Sequence, residues 1–143
     1  MKSVEILICT IGDGINKVPS VLMARILEKV SYLVSWQTNG NLATPVALLD
    51  RDDVRVLKQN SVGLASNRNF AIKHAKADLL VISDDDTRYE PCYIDNIRQA
   101  FEDNPEANII TFQALDYSQR PIKSYNSHSF TYQQRRASPI FRP

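Results

Sequence analysis

Apolar residues along this chain come in short runs separated by mixed stretches. The runs are VEILICT (4–10), SYLVSWQ (31–37), VRVLKQN (54–60), ADLLVIS (77–83) and ANIITFQAL (107–115). Their length and β-branched content predict five strands, and the runs that lack polar alternation fit strands covered on both faces. The stretches between them carry helical spacing. PSVLMARILEKV (19–30) places Leu22, Ile26 and Val30 at i, i+4 and i+8 behind a proline suited to a first turn, which predicts a helix. Thr44 and Pro45 open a short helix over 44–50, a longer one is expected over 64–77, and 91–101 puts Ile94, Ile97 and Phe101 on one face. Gly12 and Gly14 mark a turn after the first strand, and Asn39, Gly40 and Asn41 end the second. Strands alternating with helices predict an α/β fold, a three-layer α/β/α sandwich around a mainly parallel sheet.

That architecture says where chemistry belongs. Open parallel sheets bind ligands beyond the carboxyl ends of their strands, and right-handed crossovers gather those ends on one edge. Thr10, Gln37, Asn60 and the run Asp84, Asp85, Asp86 all fall at such ends. Three consecutive carboxylates call for a cation or strong donors beside them. If the backbone stays extended, Asp84 and Asp86 point the same way and Asp85 the other. Two converging carboxylates suit Mg²⁺ or Mn²⁺, with water and phosphate oxygens completing the shell. The competing reading is a solvated turn whose acids cap the following helix. On the preceding helix, Ala71, Ile72 and Ala75 form one stripe and Arg68 falls at its centre. Its guanidinium is expected to serve an aspartate, a phosphate or base ring, or both, with the amides of Asn67 and Asn69 beside it.

Composition narrows the setting. The 143 residues, 43% of them hydrophobic, suffice for one core. A formal charge of +1, from 17 basic and 16 acidic residues, gives no global case for nucleic acid or an anionic membrane. Cys9 and Cys92 make neither a disulfide framework nor a metal-ligand spacing and read as reduced thiols. MKSVEILICTIGDG lacks the features of a signal peptide, and no apolar run approaches the roughly 18 residues of a membrane span, so a cytoplasmic protein without a transmembrane segment is expected. Residues 116–143 are a basic tail, with Arg120, Lys123, Arg135, Arg136 and Arg142 against Asp116 alone, in which SHSFTYQ alternates Phe130 and Tyr132 as a strand would. His74, on a polar helix face with Lys73 and Lys76, and His128 in the tail are given no catalytic role.

NSVGLASNRNFAIKHAKADLLVISDDDTRYEP (60–91) resembles the part of family 2 glycosyltransferases that runs from a Gly-x-x-x-x-Arg-Asn element, through a helix, into a strand ending in an Asp-x-Asp motif. ILICTIG resembles the family's first strand, and the likeness covers 4–115 in order and spacing. The resemblance implies a GT-A fold and a nucleotide-sugar donor bound by a domain over 1–115. It places Asp84 near the nucleotide ribose, and Asp84 and Asp86 on Mn²⁺ or Mg²⁺ at the diphosphate. Arg68 and Asn69 would hold the nucleotide and Thr10 would line the base pocket, with Ile11, Gln37, Asn60, Gly63 and Asp85 completing the nucleotide-sugar contacts. The acceptor, a saccharide or lipid-linked saccharide, is not named by the sequence, and no residue is assigned as catalytic base. Two departures stand out. Gln37 replaces the acid with which the family's second strand usually ends, and the acceptor-side half expected well after the Asp-x-Asp motif would have its start in 116–143, where Asp116 is the only acid just past a predicted strand. A non-catalytic nucleotide-sugar-binding or regulatory module is the alternative. A Mg²⁺-dependent phosphatase of the haloacid-dehalogenase type fits less well, because its Asp-x-Asp-x-Thr lies on the first strand and DDDTR has neither that place nor that spacing.

Overall fold

The structure, a computed structural model, describes residues 1–40, 42–116 and 118–122. The chain divides after Asp103 into two units, Met1–Asp103 and Asn104–Pro143. The first unit holds four parallel strands, β1 (Val4–Ile11), β2 (Val30–Gln37), β3 (Val54–Gln59) and β4 (Leu79–Asp84), in the order β3-β2-β1-β4. Three α-helices accompany them: α1 (Val46–Leu49), α2 (Leu64–His74) and α3 (Tyr93–Asp103). The α/β sandwich with a parallel sheet is as the apolar runs predict.

Alternation along β1 sorts the core into two layers. Val4, Ile6 and Ile8 join Tyr32, Val34 and Trp36 of β2 and Tyr93, Ile94 and Ile97 of α3 in the larger cluster. Leu7, Cys9 and Leu33 face the other way and meet Ala71 of α2. Small residues on α2 let it lie close on β1 and β2, and a buried ion pair fastens its end. Glu5, 1% exposed, accepts hydrogen bonds from Arg55 Nη2 and from the backbone N–H of Lys76, both at 2.7 Å. Arg55 also bonds the carbonyl of His74 at 3.0 Å, so α2 stops at His74 and the chain turns extended at Ala75.

Two predicted elements are absent. No α-helix forms over 19–30: two 3₁₀ turns, Gly12–Asn16 and Val18–Ser20, lead into an irregular segment. Its apolar side chains still pack, since Val18, Val21, Leu22, Met23 and Leu27 all touch the larger cluster. Side chains supply the partners that helical hydrogen bonds would have supplied. Tyr32 Oη accepts the N–H of Met23 at 3.0 Å, and Arg51 Nη1 donates to the Met23 carbonyl at 2.6 Å. The expected helical stripe is not the buried one, since Ile26 at its middle is 57% exposed while Leu27 beside it packs.

The strand predicted over 107–115 does not form either. Among the described residues of the second unit, only an isolated antiparallel bridge joins Leu115 to Pro121, and Ile109 is exposed. An apolar run becomes a strand only where another strand pairs it, which spacing alone does not reveal. Asp116, singled out as the acid past that strand, closes a tight turn instead, accepting the N–H groups of Ser118 and Arg120 at 2.8 and 2.9 Å. The expected strand SHSFTYQ, His128 and the rest of the tail beyond Ile122 lie outside the described residues.

Candidate functional site

The chain runs from β1 to β2 to β3 in one direction, then crosses back so that β4 lies on the far side of β1. The carboxyl ends of β1 and β4 therefore flank a topological switch point, where a crevice opens. A pocket of about 480 Å³ lies there, lined by Cys9, Thr10, Ile11, Gln37, Val62, Gly63, Leu64, Asn67, Asp84, Asp85 and Asp86.

Each aspartate meets a different environment. β4 ends at Asp84 and the backbone turns at Asp85 and Asp86, so strand alternation no longer governs them. Asp84 faces Arg68, whose Nη2 lies 3.0 and 3.3 Å from its two carboxylate oxygens. Asp85 turns toward β1, where its Oδ2 accepts the Thr10 hydroxyl at 2.5 Å. Asp86 is exposed and has no hydrogen-bond or ion-pair partner among the described residues. The extended-chain reading grouped Asp84 with Asp86 against Asp85; the turn brings all three to one pocket.

Arg68 sits on the flank of α2 rather than at the centre of its buried stripe. The side chain is 36% exposed, while its Nε is a buried donor without a partner among the described residues. The central position belongs to Asn67, with Ala71 one turn on. Asn67 Nδ2 donates to the Thr10 carbonyl at 3.0 Å, and its Oδ1 accepts from Gln59 Nε2 at 2.9 Å. A buried amide is tolerated there because both of its ends are hydrogen-bonded. Gln59 also reaches the Ser35 hydroxyl and accepts a very short bond from Ser61. Gln37 donates to the carbonyl of Gly63 at 3.1 Å, holding the loop before α2. Gly63 has φ of +104°, a backbone only glycine adopts without strain, and it brings the N-terminal end of α2 to the pocket wall.

Of the expected site residues, Thr10, Ile11, Gln37, Gly63, Asp84, Asp85 and Asp86 line this one pocket, and Arg68 reaches it through Asp84. Asn60 does not. It follows β3, two strands away from β1, and lines a separate hollow of about 360 Å³ with Thr38, Asn39, Gly40, Lys58 and Gln59. Asn69 is exposed on α2, outside the pocket wall. Sequence reasoning passed over Cys9, Gln59 and Ser61, and gave Asn67 only a flanking part. Their signal was polar residues clustered where strands end and a helix begins, a pattern that ordinary turns share. Burial pushes the Cys9 thiol up to about 11, with Arg68 lowering it and Asp84 raising it in smaller measure. It packs with Leu7, Leu33 and Ala71 and is 5% exposed.

Among the described residues, no group of three His, Cys, Asp or Glu side chains closes into a cage for a metal ion. No helix of the described residues is long and apolar enough to cross a membrane. Comparison with curated proteins and with solved structures gives no match. The sequence profile described as glycosyl transferase family 2 matches residues 41–141, a span that begins after β2 and takes in α2, β4 and the three aspartates. The four-stranded parallel sheet agrees with the GT-A fold of that family. With more than two thirds of its length matched, this chain belongs to glycosyl transferase family 2.

Proposed function

We propose that the pocket at the β1/β4 switch point binds a nucleotide sugar together with Mn²⁺ or Mg²⁺, and that the chain serves in transfer of the sugar to a hydroxyl acceptor. The observation that carries this reading is the gathering of three carboxylates and an incompletely bonded arginine around about 480 Å³ in a member of this family. The donor set fits such a cation. Mg²⁺ and Mn²⁺ take one or two carboxylates and complete their shells with water and phosphate oxygens, so a protein cage of three ligands is not required. Asp86, which has no other partner among the described residues, and Asp84, which shares its charge with Arg68, would hold it. When bound, the ion would stabilise the negative charge that builds on the departing diphosphate.

The chain's own groups divide the remaining work. Arg68, 36% exposed beside Asp84, offers its guanidinium charge to a phosphate oxygen. The first turn of α2, which lacks a side-chain cap, presents backbone N–H groups at the wall formed by Gly63 and Leu64. Thr10, Ile11, Gln37, Gly63 and Asp85 serve the nucleoside. Gln37 gives its Nε2 to the Gly63 carbonyl and the Ser61 hydroxyl, which leaves its Oε1 to accept an N–H of the base.

Titration calorimetry tests the reading. Mn²⁺ and a nucleoside diphosphate, chosen from a panel, should each raise the affinity for the other, because each completes the other's shell. Asp86→Asn should abolish that coupling and leave the protein folded. Independent binding of the two in the wild type counts against the metal assignment. Loss of the sugar from a bound donor, to water or to a saccharide acceptor, separates a transferase from a binding module.

A further inference from the structure

We infer that Gly14 is a positioning residue for the pocket, holding the Asp85 carboxylate against Thr10 by its lack of a side chain; this rests on the nucleotide-sugar reading above. The 3₁₀ turn over Gly12–Asn16 follows the carboxyl end of β1, and Gly14 is one of its two buried residues. A methyl group built on Gly14 would lie 2.3 Å from Asp85 Oδ2 and 2.6 Å from Thr10 Oγ1. Those are the two atoms that share the hydrogen bond between β1 and the turn after β4. Contacts that short cannot be kept, so something must move.

The turn is not free to retreat. Trp36, fully buried in β2, donates its indole N–H to the Gly12 carbonyl at 2.8 Å, and Ile15 is buried in the larger core cluster. The carbonyl of Gly14 accepts the N–H of Lys17 at 2.9 Å. The turn is thus pinned on both sides of Gly14, whereas Asp85 is held by one hydroxyl. The carboxylate is what yields. Gly14 does not have the left-handed backbone of Gly12 or Gly63, so the need for glycine here lies in the space and not in the conformation.

Holding Asp85 matters because only one of its oxygens is engaged. Oδ2 is fixed by Thr10, while Oδ1 has no partner among the described residues and belongs to a side chain on the pocket wall. A carboxylate fixed in this way is an acceptor for a hydroxyl or N–H donor of the nucleoside, and its value depends on not swinging away. Gly14 and Thr10 therefore set where Asp85 accepts, without touching the ligand in the case of Gly14.

The test is a double-mutant cycle on the full chain, read by calorimetric titration of a nucleoside diphosphate with Mn²⁺. Gly14→Ala should weaken binding about tenfold while the melting temperature stays close to that of the wild type. Asp85→Ala removes the atom that the methyl group meets, so adding Gly14→Ala to it should cost little further affinity. Thr10→Val, which keeps the shape and removes the hydroxyl, should weaken binding in the same direction and carries the test if Gly14→Ala does not fold. Unchanged affinity in folded Gly14→Ala, or equal losses from it with and without Asp85, would overturn the inference while leaving the binding site intact. A wild type that binds no nucleoside diphosphate overturns the functional reading and the inference with it.

Discussion

The two ends of the same four strands treat their charges in opposite ways. At the amino ends, Glu5 is almost wholly buried and both oxygens of its carboxylate are engaged, one by Arg55 and one by the N–H of Lys76. Nearby, Asp78 and Ser3 exchange three hydrogen bonds of 2.8 to 2.9 Å across β1 and the start of β4. At the carboxyl ends, Asp84 has one exposed arginine partner, Asp85 one hydroxyl and Asp86 none among the described residues. Charge at the first end is consumed in closing the fold. Charge at the second is left facing a pocket, with fewer partners for each carboxylate.

The sharpest way to break this contrast is Glu5→Ala. It leaves Arg55 facing an apolar floor and the Lys76 N–H without its acceptor, so it should destabilise the protein by about 2–3 kcal/mol. That is the lower side of what removing one partner of a buried pair costs, because Arg55 is partly solvated. Affinity for a nucleoside diphosphate should be unchanged in the folded protein. Urea denaturation and titration calorimetry on the same sample check both halves, and a matching loss of affinity would mean that the two ends are not separate in function.

Arg68→Met probes the other end. The methionine keeps the apolar stem on α2 and removes the guanidinium. The pair with Asp84 is half-exposed, so stability should change by less than about 1 kcal/mol. Nucleotide affinity should fall about tenfold, or about 1.4 kcal/mol. The ratio of the two effects is the reverse of that for Glu5. A stability loss larger than the affinity loss would make Arg68 a structural residue like Arg55.

This contrast also marks what the sequence could say. The strands were legible as short apolar runs, as in Val4–Ile11, and α3 because burial of one helix face imposes a period that Tyr93–Asp103 carries plainly. The segment after Ser20 carried the same spacing as a helix and is not one, since Tyr32 of the next strand and Arg51, 28 residues on, take over the Met23 backbone groups. Such non-local bonds leave no local trace. The pocket was legible as a place, because strand ends converge by topology, and the run of three aspartates stands at one of them. The way its members are held was not. Thr10 and Asp85 are 75 residues apart, and Gly14 read only as a turn residue. Glu5 gave no signal at all: a single acid in an apolar strand has no partner in view until Arg55 and the end of α2 are placed beside it.

The smallest effect is expected at Asp78, and it bears on whether exposure alone separates the two ends. Its carboxyl is held below the usual range by the backbone N–H of Ser3, then by the Ser3 hydroxyl. A carboxyl lowered by folding stabilises the native state once the pH is above its unfolded value, about 3.9. That contribution is lost as pH falls through the folded value, because the carboxyl is then protonated in both states and its charge is gone. Asp78→Asn should therefore lower the urea midpoint slightly at pH 7, and the curves of variant and wild type should converge in acid, below the folded value. Convergence would show that the charge on Asp78 is engaged by Ser3 although water reaches it, as the charge on Glu5 is engaged in the interior. A constant offset at every pH would mean that the Ser3 contact acts through shape and neutral hydrogen bonding. The distinction between the two ends would then rest on burial, and not on how completely each carboxylate is bonded.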